Sequence, residues 1–150
     1  MKKKNRLKPF YFWDHKIHPS LIPPSRRELD PLNPLSATIQ TSRGCPYRCK
    51  FCQLTRIDDT IHRRRPLEHV IKELKGIERR IIWFQDASLT INPEYSKILF
   101  KRMIKERLNK RWIAFGNANV LEKDEEFLKL AKEADASHGW LVSKQFLRKP

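Results

Sequence analysis

The sequence predicts an α/β fold, a partial (β/α) barrel of the TIM type with parallel strands. Two observations predict it: short β-branched and aromatic runs alternate with amphipathic helix patterns, and a cysteine-containing loop directly follows the first run. Alternating strands and helices form parallel sheets with right-handed crossovers, and functional loops lie at the carboxyl ends of the strands. The pattern amounts to about three and a half β/α units, too few to close a barrel. We therefore expect part of a larger barrel, or a shortened version of one.

Residues 1–35 are predicted to form a basic, proline-rich leader or linker, and residues 36–150 the partial barrel. Six of the ten prolines lie before residue 36. Proline lacks a backbone N–H and pushes the preceding residue toward extended conformations, so long helices are unfavourable in this segment.

The first half of the barrel region contains two strand signals with a helix between them. The first strand is predicted over residues 37–41, and the second over residues 80–85, which are rich in β-branched and aromatic side chains. The helix between them is predicted because apolar residues recur at the spacing of one helix face. These residues are Leu67, Val70, Ile71 and Leu74.

The second half repeats the pattern. Asn92 followed by Pro93 is typical of a helix start, and this helix is predicted to continue to about residue 108. A third strand is predicted over residues 111–115 and a fourth over residues 139–142. The helix between these two strands is predicted from a second apolar stripe, formed by Phe127, Leu130, Ala131 and Ala134.

The chain carries a formal net charge of +15 at pH 7. Such a charge attracts polyanions, but the basic residues are spread along the sequence, so solvated helix faces are favoured over a dedicated nucleic-acid surface. No apolar run of about 18 residues occurs, and no apolar segment follows the basic N-terminus, so neither a membrane helix nor a secretory signal is predicted. We expect a cytoplasmic protein.

Three cysteines lie within eight residues, at Cys45, Cys49 and Cys52, and the chain has no other cysteine. Three thiolates can each hold one iron of a cubic [4Fe–4S] cluster and leave the fourth iron open to another ligand. Gly44 allows unusual backbone angles where the chain leaves the first strand, and Pro46 restricts the loop. The cysteines therefore predict an iron–sulfur site at the carboxyl edge of the sheet.

The run from Ser42 to Cys52, S-R-G-C-P-Y-R-C-K-F-C, resembles the signature of the radical S-adenosylmethionine (radical SAM) superfamily. The resemblance covers roughly residues 21–142. Within the superfamily, the sequence is similar to the cobalamin-linked branch. It implies that a [4Fe–4S] cluster on the three cysteines binds S-adenosylmethionine at its open iron and cleaves it reductively to a 5′-deoxyadenosyl radical. It also implies that Phe51 lies beside the adenine and that Asp86 contacts the methionine amine.

The resemblance also shapes what we expect of partners. Cobalamin-linked members carry a D-x-H-x-x-G domain before the barrel, whereas only 44 residues precede Cys45. Cobalamin is therefore not expected to be bound by this chain. We expect a reductant such as ferredoxin or flavodoxin, and a separately encoded remainder of the barrel or a cobalamin domain as further partners. Whether the chain is an enzyme by itself or an inactive remnant stays open.

Alternative interpretations remain for each motif. The three cysteines and His62 match the ligand set of a Cys₃His zinc module, here a basic one that would bind nucleic acid. Asp86 is equally suited to capping the turn that follows it. The run Arg63–Arg65 is either a phosphate grip or a solvated loop. Asn117 and Asn119 are either substrate contacts at the barrel mouth or turn residues.

Overall fold

A computed structural model describes residues 17–27, 35–57, 60–136 and 141–143. The predicted leader lies outside these ranges except for residues 17–27 and 35, and the start of the predicted fourth strand also lies outside them. Within the described residues, short 3₁₀ turns occupy Pro19–Leu21 and Leu89–Ile91. The strands and helices, in chain order, are β1 (Ser36–Ile39), β2 (Ser42–Arg43), α1 (Leu54–Ile57), β3 (Arg63–Arg64), α2 (Leu67–Gly76), β4 (Ile81–Phe84), α3 (Pro93–Lys105), β5 (Arg111–Asn117), α4 (Ala118–Leu121), α5 (Glu125–Glu133) and β6 (Leu141–Ser143).

The main sheet is parallel and has the strand order β1-β4-β5-β6. Thr38 pairs with Trp83 and Trp83 with Ile113, so the three long strands are aligned. This confirms an α/β fold with parallel strands. Sequence reasoning extended the first strand to residue 41, but it ends at Ile39 because the carbonyl oxygen of Thr41 accepts a hydrogen bond from the N–H of Arg65, at 2.8 Å.

Helices α2, α3 and α5 cover one face of the sheet, which we call the outer face. Trp112 lies at its centre: its ring stacks on Phe100 at a centroid distance of 4.9 Å and meets Phe84 edge-on at 5.4 Å. The indole N–H of Trp112 donates to the carbonyl oxygen of Ala134 at 2.7 Å, so its polar atom is satisfied inside the core. These rings are among the largest fully buried side chains, so their burial contributes strongly to stability.

The predicted helix stripes point into this core. All of the stripe residues except Leu67 are buried, and Leu67 packs against the cluster. The start of α3 agrees with its signal, because the side-chain oxygen of Asn92 accepts a hydrogen bond from the N–H of Tyr95 at 2.9 Å. The helix ends at Lys105, before the predicted residue 108, because Arg107 adopts a left-handed φ of 47°.

The described part of the predicted leader is attached to the sheet. Pro19 is buried, and the guanidinium of Arg27 donates to the carbonyl oxygen of Thr38 on the edge strand β1 at 2.6 Å. Arg27 and Arg65 both pair with the buried carboxylate of Glu73, at 2.5 and 2.6 Å. These contacts connect residues 17–27 to β1 and α2. No helix in the described ranges combines the length and the apolar character needed to cross a membrane.

Candidate metal centre

The cysteine loop leaves the sheet at the carboxyl end of β1. Ser42 and Arg43 then pair, as strand β2, with Arg64 and Arg63 of β3 in a small antiparallel ribbon. The ribbon brings together the two ends of the segment that holds the cysteines. Sequence reasoning missed it, because strands of two residues carry no periodic signal.

The three cysteines form no disulfide. Cys45 is buried, Cys49 and Cys52 are half-buried, and the N–H of Cys52 donates to the carbonyl oxygen of Cys49 at 3.0 Å. Burial raises the pKa of the Cys45 thiol, and the nearby Cys49 and Cys52 raise it further. Gly44 adopts a left-handed φ of 84°, one of the unusual backbone angles that glycine allows.

The chemistry of this donor set, three thiols on one loop, fits an iron–sulfur cluster. In the part of the chain that the structure describes, no three His, Cys, Asp or Glu residues converge on a point that would hold one ion. Thiolates that each bind a different iron of a cubic cluster have no need to converge in this way. The Cys₃His zinc alternative therefore finds no support. Burial lowers the pKa of His62, with a smaller contribution from Arg64.

Phe51 lies on the surface of the loop, with 73% of the residue exposed. It precedes Cys52 and contributes nothing to the core cluster. Its predicted place beside the adenine of S-adenosylmethionine stays a prediction, and the exposed ring is available for such a contact.

Asp86 follows β4 and reaches across to the start of the cysteine loop. Its Oδ1 accepts hydrogen bonds from the hydroxyls of Thr41, at 2.7 Å, and Ser42, at 2.5 Å. The N–H of Thr41 lies 3.2 Å from Oδ1 and 3.0 Å from Oδ2. Burial raises the pKa of Asp86, against the opposing effect of these hydrogen bonds. The carboxylate thus binds the start of the cysteine loop, which follows β1, and these bonds do not cap the turn after Asp86.

Tyr95 and Arg65 complete the support beneath the loop. Sequence reasoning missed Tyr95 and named Arg65 only as part of the arginine run. The Tyr95 hydroxyl donates to the carbonyl oxygen of Arg65 at 2.8 Å, and an Arg65 guanidinium nitrogen donates to that of Gln40 at 2.7 Å. Burial is the main reason why the pKa of Tyr95 is raised. We call Thr41, Ser42, Arg65, Asp86 and Tyr95 the loop base.

The arginine run is more than a solvated loop. Arg65 is paired with Glu73, the guanidinium of Arg64 lies 5.7 Å from the centre of the Tyr95 ring, and Arg63 donates to the carbonyl oxygen of Ile17 at 3.1 Å. Each arginine therefore has a structural contact. These contacts leave the phosphate-grip interpretation without specific support.

Asn117 and Asn119 lie where the turn interpretation expects them. The side-chain oxygen of Asn117 accepts from the N–H of Asn119 at 3.0 Å, at the start of the short helix α4. The N–H of Asn117 donates to the Thr90 hydroxyl at 2.8 Å. Asn117 is buried, so its role in this arrangement is to close the turn after β5.

The family model of the radical SAM superfamily matches residues 39–139, two thirds of the chain and the whole loop base. The chain belongs to the radical SAM superfamily. The cofactors of this superfamily are a [4Fe–4S] cluster and S-adenosylmethionine, as the cysteine motif predicted. The match also includes strands β4 and β5 and the helices on the outer face.

Several curated relatives are similar in sequence. A hopanoid C-3 methylase from Methylococcus capsulatus is 26% identical over 105 residues, 70% of this chain and 20% of its own length. A bacteriochlorophyllide d C-12(1)-methyltransferase from Chlorobaculum tepidum is 29% identical over 112 residues, 71% of this chain and 23% of its own. An uncharacterized methyltransferase from Pyrococcus horikoshii is 32% identical over 101 residues, which are 63% of this chain and 21% of its own length. The chain thus spans about a fifth of these relatives.

Solved structures of the radical SAM methyltransferase TsrM from Kitasatospora setae share the fold. One, with cobalamin and a [4Fe–4S] cluster bound, has a TM-score of 0.62 and 22% identity and covers 67% of this chain and 21% of its own. Another, with tryptophan substrate and a SAM analogue bound, has a TM-score of 0.63 and 21% identity, and the match covers 67% of this chain and 20% of the TsrM chain. At this identity the likeness concerns the fold alone.

Proposed function

We propose that this chain is the cluster-binding part of a radical SAM iron–sulfur protein, with Cys45, Cys49 and Cys52 as the cluster's ligands. The observation that carries the proposal is the set of three thiols on one short loop at the carboxyl edge of a parallel sheet. Ligands of α/β proteins bind at this edge. When bound, a [4Fe–4S] cluster supplies the electron that breaks a carbon–sulfur bond of S-adenosylmethionine, which gives methionine and a 5′-deoxyadenosyl radical.

The chain's own residues would hold and shield the cofactors. Cys45 is already buried, which limits the access of water and oxygen to one ligand. Phe51 offers an exposed ring for stacking against the adenine, since an aromatic face and a purine attract each other. The loop base fixes the position of the loop against β4, so the cluster would be held at a defined distance from the sheet edge.

The rest of the barrel is part of the proposal. Four parallel strands with helices on the outer face are what a partial barrel of about three and a half β/α units requires. The opposite face of the sheet carries Trp83, Ile113 and Phe115, of which Phe115 is clearly exposed. We propose that the remaining barrel strands, whether on this polypeptide or encoded separately, cover this face.

A one-electron donor is also required. Arg43, Arg48 and Lys50 are exposed around the cysteines and suit an acidic donor such as ferredoxin or flavodoxin, because opposite charges steer association. Donors of this kind, and thiols kept reduced, are consistent with the cytoplasm. Within this proposal, nucleic acid is not the partner of the basic residues.

Anaerobic reconstitution with iron and sulfide tests the proposal. The wild-type chain should become brown and, after reduction with dithionite, show an electron paramagnetic resonance (EPR) spectrum that changes when S-adenosylmethionine is added. Each of the changes Cys45→Ala, Cys49→Ala and Cys52→Ala should abolish the [4Fe–4S] spectrum, because each thiolate holds a separate iron. A colourless protein with bound zinc, or full cluster content in all three variants, would overturn the proposal.

The relatives give a second candidate for the reaction, because their names describe methyl transfer. Product analysis separates the two. Reductive cleavage of S-adenosylmethionine releases methionine and 5′-deoxyadenosine, whereas donation of its methyl group releases S-adenosylhomocysteine. Chromatography of the reaction mixture therefore decides which reaction the loaded chain supports, and the absence of both products would identify it as a binding unit only.

A further inference from the structure

We propose that Asp86 is a positioning residue for the cysteine loop: it fixes Thr41 and Ser42 against the end of β4 and so sets where Cys45 is held. The role rests on the proposed function, because it has consequences only if Cys45 binds a cluster. It differs from the predicted contact between Asp86 and the methionine amine, in which the carboxylate would touch the cofactor itself.

The first argument is that the chain's own donors already bind the carboxylate and enclose it. Three donors from two adjacent residues, the N–H and hydroxyl of Thr41 and the hydroxyl of Ser42, converge on it. Asp86 is only 2% exposed. An ammonium group from a ligand could reach this enclosed carboxylate only if the surrounding residues moved, and buried donors that lose their acceptor are costly. The geometry thus favours a clamp over a ligand.

The second argument is the short path from the clamp to the cluster ligands. Ser42 is three residues before Cys45, and one of the two residues between them is Gly44, with its left-handed φ of 84°. Because only two residues separate Ser42 from Cys45, a fixed Ser42 limits where Cys45 can lie. Asp86 provides that fixed point from the end of β4, which lies between β1 and β5 in the sheet.

The third argument is that Asp86 attaches Thr41 and Ser42 to the end of β4, whereas the other attachments hold neighbouring residues. Gln40 donates to the carbonyl oxygen of Gln85 after β4 at 3.2 Å, and Tyr95 of α3 donates to that of Arg65. The β2–β3 ribbon joins the two ends of the loop to each other, and Arg65 binds backbone oxygens of Gln40 and Thr41. Both hold the loop to the edge strand. Asp86 is the residue of the loop base that follows the neighbouring strand β4, so its removal would weaken the attachment of the ribbon to the end of that strand.

The test compares Asp86→Ala with Ser42→Ala, Thr41→Val and the double variant Asp86→Ala/Ser42→Ala. The matched control is Asp124→Ala, which removes another carboxylate that accepts a backbone hydrogen bond, from Phe127 at 2.9 Å, at the start of α5. Each full-length variant is reconstituted anaerobically with limiting iron. Iron content, the EPR g-values of the reduced cluster without and with S-adenosylmethionine, and thermal unfolding of the metal-free protein are measured.

We expect Asp86→Ala to lower the apparent affinity for the cluster about tenfold, the lower end of the range for residues that support metal ligands. Its remaining cluster should show shifted g-values even without S-adenosylmethionine. Ser42→Ala should show a smaller shift, and it should add nothing in the double variant because the two residues act through one bond. The control should unfold at a lower temperature while keeping the wild-type g-values.

Two results would overturn the role. One is an Asp86→Ala protein with wild-type cluster content and g-values whose spectrum no longer responds to S-adenosylmethionine, which would make Asp86 a direct cofactor ligand. If Asp86→Ala does not fold, wild-type spectra from both Ser42→Ala and Thr41→Val would equally refute it. A wild-type chain that forms no cluster would instead refute the proposed function, and this role with it.

Discussion

The outer face of the sheet and the cysteine loop are built in opposite ways. The outer face is closed by aromatic and aliphatic side chains such as Phe84, Phe100 and Trp112, all at most 1% exposed. The loop has hydrogen bonds at its base, but its far part exposes Phe51, Leu54 and Ile57. The difference teaches that the sheet and its helices are stabilised mainly by a closed apolar core, whereas the loop beyond its base lacks such a core. In the proposed function, a cluster bound to the cysteines would order that part of the loop.

The largest expected effect is on the free energy of unfolding, and it distinguishes a phenylalanine of the outer face from one of the cysteine loop. Phe100→Ala should lower the free energy of unfolding by about 3–5 kcal/mol, because the ring is fully buried between Trp112 and Phe127. Phe51→Ala should change it by no more than about 0.5 kcal/mol in the metal-free chain, since the ring is exposed. Urea denaturation followed by circular dichroism measures both, and equal losses would contradict the comparison.

A second effect concerns the attachment of residues 17–27. Glu73→Gln should cost about 3 kcal/mol, because it leaves the charges of Arg27 and Arg65 without their buried partner. The matched control on the same helix is Glu68→Gln, whose side chain is 73% exposed and should matter little. Limited proteolysis should also cut near residue 27 faster in Glu73→Gln, and equal cutting in the two variants would argue against this attachment.

A third effect is on the free energy of unfolding, which should change in opposite directions when two glycines are replaced by alanine. Gly44→Ala should destabilise the chain by about 1 kcal/mol or more, because alanine is strained at a φ of 84°. Gly76→Ala at the end of α2 should stabilise it by about 0.5–1 kcal/mol, because no neighbour lies within 4 Å of the added Cβ. Thermal unfolding of both variants checks the signs, and a stabilising Gly44→Ala would show that the loop does not keep this backbone.

The smallest effect concerns thiol reactivity in the metal-free chain. Cys45 should be alkylated by iodoacetamide more slowly than Cys49 and Cys52, because it is buried and its thiol pKa is raised above the ordinary 9.0. A raised pKa means that the reactive thiolate is scarce at neutral pH, so the rate at Cys45 should still increase above pH 9.0. Peptide mass spectrometry after timed alkylation gives each rate, and faster reaction at Cys45 at pH 7 would be contrary to its burial.

What sequence alone predicted follows from how local each signal is. The helix stripes, the Asn92 cap, the glycine before Cys45 and the alternation of strands with helices all depend on residues close in the chain, and they were confirmed. The contacts of Asp86 join residues separated by 44 and 45 positions, so no local pattern contains them. The burial of Glu73 had a weak signal, because it lies three residues after Val70, at the border of the apolar stripe.

The most direct test of the central claim is a Mössbauer spectrum of the chain reconstituted with ⁵⁷Fe. Three cysteine ligands leave one iron of a [4Fe–4S] cluster without a protein thiolate, and that iron alone can bind S-adenosylmethionine. The account predicts that adding S-adenosylmethionine changes the signal of one iron in four and leaves the other three unchanged. A spectrum in which all four irons stay the same, or a reconstituted chain without cluster iron, would contradict it.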